Sequence, residues 1–159
     1  MKTNVFLILC IAIASPYAIA DQNTKQPKQA DLIKYRQSAM MFMRWNISKL
    51  KNQLVTNPES YNKEDVIKAS AAIAAIANSD LNKLFPASSQ TGTGWKKTRV
   101  KATYFTQTDK VNKHTFALIK ESNQVLEAAN GGDMTAIRYQ FDRVFKSCKS
   151  CHKAYRLKN

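Results

Sequence analysis

The chain has 159 residues, long enough for one domain, and its 44% apolar and 23% charged content is ordinary for a globular protein. Lys and Arg number 25 against 11 Asp and Glu, a net charge of +14. That balance reads either as a solvated surface or as attraction to an acidic protein partner or an anionic membrane surface. It does not indicate nucleic acid, because the lysines are spread along every segment and no recognition motif accompanies them.

Residues 1–20 read as a secretory signal peptide. Lys2 gives a positive start, Val5 to Ala14 are almost wholly apolar, and Ala18-Ile19-Ala20 is a small-x-small cleavage site. The apolar run is too short to span a bilayer, and Cys10 leaves with it. The expected mature chain, Asp21–Asn159, carries about +13 once Lys2 is removed, holds no further membrane segment and is placed in the periplasm.

Residues 21–30 are polar and read as a flexible leader, with the folded domain over 31–159. From Asp31, Leu32, Tyr35, Ala39, Met40, Met43, Ile47, Leu50 and Leu54 recur at helical steps, and Asn57-Pro58 ends the segment. A second helix is expected to start after Asn62, with Glu64 and Asp65 in its first turn, and to continue to Pro86. Its face of small residues, Ser70, Ala74 and Ala77 among them, suits close packing, including against a second subunit. Residues 86–97 form an irregular connection containing Trp95. A third helix is predicted from Thr98 to Asn130, stopped by Gly131-Gly132, and a fourth after the cap Asp133, running through Cys148 and Cys151 to Tyr155. Four helical patterns without a strand pattern predict an all-α antiparallel four-helix bundle.

The chemistry is concentrated in Cys148-Lys149-Ser150-Cys151-His152, the attachment signature of a c-type haem. On a helix, positions i and i+3 share a face, so both sulfurs reach the vinyl groups of one porphyrin and the adjacent imidazole ligates the iron. A zinc site would want four ligands, and the other histidine, His114, brings no cysteine pair. A thioredoxin-like pair would want a βαβ context. One covalent haem c is therefore expected, in keeping with an exported chain. The sixth iron position is open to Met40, Met41 or Met43 of the first helix, or to none. Met40 and Met43 share the apolar face; methionine at such spacing is also ordinary core filler. No nucleophile–base pair occurs, so no enzyme is predicted.

Lys34-Tyr35-Arg36-Gln37-Ser38-Ala39-Met40, the Gly132-Asp133 turn and the segment Cys148–Arg156 together resemble the cytochrome c′ family, the class II c-type cytochromes. The resemblance covers about Ala30 to Arg156 and implies the four-helix bundle for which that family is known. It implies thioether attachment at Cys148 and Cys151, His152 as proximal ligand and Arg156 beside that imidazole. It further implies Arg36 close to the haem and its propionates, Phe85 packed on the haem, Met40 at the distal position, and a homodimer. Phe105 stands where many members have a tryptophan, and the 86–97 loop is shorter than in many. The expectation drawn is a monohaem one-electron carrier with His152 and Met40 as axial ligands, served by a redox partner protein. The alternative is a five-coordinate protein that binds nitric oxide or carbon monoxide. A third reading is a haem module of a larger complex, docked through the alanine-rich second helix.

Overall fold

The computed structural model describes residues 27–158. The expected signal peptide and most of the expected leader lie outside the described residues. Four long helices are formed: α1 (Gln29–Lys51), α2 (Lys63–Ala77), α3 (Thr108–Gly131) and α4 (Met134–Tyr155).

Helix α1 takes in Gln29 and Ala30, and buries Ile33, Met43 and Leu50 along one stripe. Its end widens into a π-turn over Asn52–Thr56, closed by the Asn57 N–H on the Asn52 carbonyl at 2.7 Å. Pro58, which cannot donate to a helical ladder, follows directly.

Helix α2 begins as the sequence indicates, with Asn62 Oδ1 accepting the Asp65 N–H at 3.0 Å. Its small-residue face, Ala69, Ser70, Ile73, Ala74 and Ala77, is buried between α1 and α3. The expectation that this face meets a second subunit, or docks the chain into a complex, is therefore corrected: neighbouring helices of the same chain fill it. Side chains this small let both neighbours approach closely.

Two helix boundaries also differ from expectation. Helix α2 stops at Asn78, whose Nδ2 donates to the Ala74 carbonyl at 2.7 Å and to Asn123 Oδ1 at 2.8 Å. Asp80 then turns the chain at φ 56°, and Leu81–Leu84 is a single 3-10 turn. The turn-forming run Asn78-Ser79-Asp80 overrides the apolar spacing that suggested continuation. Helix α3 starts at Thr108 rather than Thr98. Residues 99–101 are instead extended against the chain end: Lys101 N–H donates to Tyr155 O at 2.9 Å, Leu157 N–H to Arg99 O at 2.8 Å, and Val100 bridges Arg156 antiparallel. β-Branched Thr98 and Val100 suit such pairing.

The last turn of the fold behaves as predicted. Gly132 takes φ 81° and its N–H returns to Ala128 O at 3.0 Å. Asp133 Oδ1 then accepts the Thr135 N–H at 2.9 Å to start α4.

The result is an up-down-up-down bundle whose core joins Leu50 and Leu54 to Val66, Ile73, Val125, Ile137, Phe141 and Val144. Each fully buried aliphatic side chain of this kind contributes about 1.5–3 kcal/mol. Helices α1 and α2, α2 and α3, and α3 and α4 pack closely along their lengths. The α4–α1 side closes at the pole where Arg138 Nε donates to Leu54 O at 2.8 Å, on the π-turn. The C-terminal turns of α4 lie at the opposite pole.

Candidate haem site

Cys148 and Cys151 stand one turn apart on α4, both free thiols and both half-buried. Cys148, like Met40 and Leu84, is partly buried against the hydrophobic core. Burial pushes both thiols above the ordinary cysteine value, and the neighbouring Cys148 adds to the effect at Cys151. A raised thiol has less thiolate character, which does not favour a reactive thiolate pair here.

His152 is half-buried beside them. Burial lowers its proton affinity first, and the charges of Arg156 and Arg99 lower it further. The imidazole is thus kept neutral, the form in which a ring nitrogen lone pair is available to a metal. Arg156 lies one turn on, its N–H donating to His152 O at 3.0 Å where α4 ends.

The first-helix residues divide sharply. Met43 is 4% exposed and belongs to the core, Met40 is half-buried against it, and Met41 is 64% exposed on the outer face. Arg36 is not a solvated surface charge. It is buried, and its guanidinium donates to Leu84 O at 3.2 Å, Ser89 Oγ at 2.6 Å, Ser89 O at 2.9 Å and Thr98 Oγ1 at 2.7 Å. It also lies over the Phe85 ring, 4.7 Å from the centroid. Burial lowers its affinity for its proton, but an arginine so placed stays charged. Arg36 therefore fastens the 84–98 connection to α1.

Phe85 stacks on Tyr104 at 4.8 Å, and Tyr104 meets Tyr155 edge-on at 5.7 Å. Burial raises the Tyr104 phenol to about 12, with a further push from Cys151 and an opposing pull from Arg36. This aromatic wall beside the cysteines is not visible in the sequence, where apolar spacing sets Tyr104 on a helix that in fact starts later. The alternation of β-branched and charged residues at Thr98-Arg99-Val100-Lys101 is the one local sign of it. His114, the other histidine, meets Tyr155 edge-on at 5.7 Å, and its Nδ1 lies 3.5 Å from Ser150 Oγ.

These residues fit a covalent haem. Two thiols at i and i+3 and an imidazole at the next position are all half-buried on α4, and Cys148 and Met40 of α1 both pack against the core. Among the described residues, no three His, Cys, Asp or Glu side chains form a metal-holding group.

Residues 31–156 match the family described as Cytochrome C'. The chain is 45% identical over 132 residues to a cytochrome c′ of Rhodocyclus tenuis, covering 83% of this chain and 98% of that one. It is 36% identical over 126 residues to a cytochrome c′ of Allochromatium vinosum, covering 79% and 80%. Among solved structures, the cytochrome c′ of Thermochromatium tepidum superposes with a TM-score of 0.78 at 32% identity, covering 83% of this chain and 98% of that one. Another, described as a cytochrome c′ with an unusual ligand-controlled dimer dissociation, gives 0.78 at 35% identity with the same coverage. The chain belongs to the cytochrome c′ family and, like its relatives, binds one covalently attached haem c.

Proposed function

We propose that this is a classical five-coordinate cytochrome c′ that binds small diatomic gases, with Cys148 and Cys151 as thioether anchors and His152 as the single protein ligand to iron. The carrying observation is the 45% identity to a cytochrome c′ over 83% of the chain, a kinship with the classical members rather than with methionine-ligated ones. The expectation of Met40 as a sixth ligand gives way accordingly. The relative with ligand-controlled dimer dissociation supports the same reading, since control by an added ligand fits an open iron position.

Bound haem supplies an iron able to take a diatomic ligand. The chain supplies the rest. His152 presents a neutral nitrogen from the last turns of α4, and Arg156 sits close to it. Met40, half-buried against the core, contributes apolar bulk that keeps water and larger ligands out. Arg36 holds the 84–98 connection, and Phe85 with it, against α1. The role is binding rather than catalysis, in a periplasmic protein exported by residues 1–20.

The same relative supports a homodimer. The outer face of α1 carries Met41, Phe42 and Trp45, at 64%, 50% and 55% exposure, with Trp95 beside it at 65%. Trp95 Nε1 donates to Ser38 Oγ at 2.8 Å, which aligns the indole with this stripe. Exposed large side chains clustered in this way mark a contact surface, with Lys49 and Lys34 over the Trp45 and Trp95 rings at its rim, and we assign it to a second copy of α1.

Carbon monoxide titration of the dithionite-reduced holoprotein tests the gas-binding reading. A saturable spectral shift at low micromolar to millimolar gas supports it; an unchanged ferrous spectrum in saturated solution refutes it.

A further inference from the structure

Charge is distributed unevenly along the bundle. At the pole remote from Cys148, Lys51, Lys63, Lys68 and Arg138 are balanced by Glu59, Glu64, Asp65, Glu127 and Asp133. At the haem pole the balance is lost. Residues 96–113 contain Lys96, Lys97, Arg99, Lys101, Lys110 and Lys113 against Asp109, and residues 146–158 contain five further cations and no carboxylate. The fold joins these two segments directly, through the 99–101 pairing with 155–157, Tyr155 Oη on Gln107 Oε1 at 3.2 Å, and the approach of His114 to Ser150. Of the carboxylates around this pole, Asp31 and Asp80 are already paired with Lys34 and Lys83 at 3.7 and 2.7 Å. Asp142, one turn earlier on α4, is paired with Lys146 at 2.5 Å, which leaves four of the five cations in 146–158 outside any ion pair with it. Lys101 is also engaged, donating to the Lys153 and Ala154 carbonyls at 3.1 and 3.0 Å.

Lys110, Lys113 and Lys153 are exposed, and among the described residues none is in an ion pair. Phe116, next along α3 from Lys113, is 69% exposed. A large apolar ring flanked by unpaired cations has the make-up of a docking site with an aromatic centre and a charged rim. The surface lies on α3 and α4, apart from the outer face of α1.

We propose that the α3–α4 surface at the haem pole, around Lys110, Lys113, Phe116 and Lys153, docks an acidic one-electron donor protein. The inference rests on the gas-binding reading, in which carbon monoxide binding would need reduced iron: the docked donor would lose one electron, and the haem held by Cys148, Cys151 and His152 would gain it. Charge complementarity selects an acidic partner, steers its approach to the pole that holds the haem motif, and makes the rate dependent on salt.

The test uses holoprotein and a purified flavodoxin hydroquinone as the acidic one-electron donor. Reduction is followed by stopped flow over a range of ionic strength, and contact is mapped by NMR line broadening with oxidised flavodoxin. The triple variant Lys110→Glu, Lys113→Glu, Lys153→Glu is compared with Lys51→Glu, Lys63→Glu, Lys68→Glu, which changes net charge equally at the far pole. The expected result is about a tenfold or greater loss of low-salt rate for the haem-pole triple, and a loss under about threefold for the far-pole triple. Broadening is expected around Phe116, and Phe116→Ala should weaken it. Equal losses in the two triples, or a rate independent of salt, overturn the proposal. So does binding to phosphatidylglycerol vesicles that the haem-pole triple abolishes while flavodoxin reduction stays unchanged, because that surface is then a membrane site. Dithionite reduction followed by carbon monoxide tests the gas-binding reading separately in every variant. If gas binding fails there, the flavodoxin rates and the NMR map still decide docking on their own.

Discussion

Arg36 grips Ser89 twice, through Nη1 on the hydroxyl at 2.6 Å and Nη2 on the carbonyl at 2.9 Å. A side chain from the first helix thereby fixes a loop 53 residues away in sequence, and the Phe85 ring is held beneath the same guanidinium. The planar fork matters, because it reaches four acceptors on three residues of the connection at once.

Replacing Arg36 with Lys is therefore not conservative. A single ammonium cannot reach Ser89, Thr98 and Leu84 together, so buried acceptors are left unpaired. Arg36→Lys is expected to lower stability by about 2–4 kcal/mol, measured by urea unfolding of the holoprotein. It should also raise hydrogen-exchange rates through 84–98 while leaving the α2–α3 core protected. A loss confined to well under 1 kcal/mol would show that the network holds less than its geometry implies.

On the proposed five-coordinate reading, Met40, partly buried against the core, supplies bulk without binding iron. Met40→Ala should keep the ferric spectrum of the wild type and speed carbon monoxide association by about tenfold, the effect of opening space for an incoming ligand. Flash photolysis measures it. A wild-type far-red band that disappears in Met40→Ala would restore the methionine as a ligand.

Glu121 is buried on α3 and accepts from Arg143 Nε and Nη2 of α4, both at 2.7 Å. These hydrogen bonds hold its carboxyl below the ordinary glutamate range. A depressed carboxylate stabilises the fold at pH values above its unfolded value, about 4.3, and the contribution is lost as pH falls through the folded value. Glu121→Gln is expected to melt below the wild type at pH 7, with the gap narrowing as pH falls below the unfolded value and through the depressed folded one. Thermal scans across that window give the sign. A gap that widens on acidification would contradict it.

The α1 strip makes a prediction of a different kind. Trp45→Asp sets a charge among Met41, Phe42 and Trp95, all outside the core. It should shift sedimentation from dimer to monomer by at least about tenfold in dissociation constant, with the visible spectrum unchanged. A wild type that stays monomeric at high concentration would contradict the dimer.

Much of the molecule is legible in its sequence because it depends on local patterns. The haem motif, the caps at Asn62 and Asp133 and the stop at Gly132 each rest on residues within a few positions of one another. Apolar spacing likewise identifies Met43 as interior and sets Met41 apart. What cannot be read depends on residues distant in sequence. The stretch Thr98–Lys101 carries enough apolar spacing to resemble a helix, and its extended form is decided by pairing with Tyr155–Leu157. The alanines of α2 have the right character for close packing, but nothing local says whether the neighbour is another chain or α1 and α3. Arg36 presents the same limit, since a lone arginine on a helix looks solvated until Ser89 and Thr98 are brought to it. The choice between a methionine ligand and an open iron turns on kinship, because Met40 occupies the same helical position in either case.

The ferric state of the holoprotein at neutral pH decides between those two cases most directly. Electron paramagnetic resonance and the visible spectrum, recorded on one sample, should show high-spin iron with His152 as its only protein ligand and no methionine–iron band in the far red. A low-spin signal accompanied by that band would mean that Met40 or Met43 closes the sixth position, and would return the protein to the electron carriers.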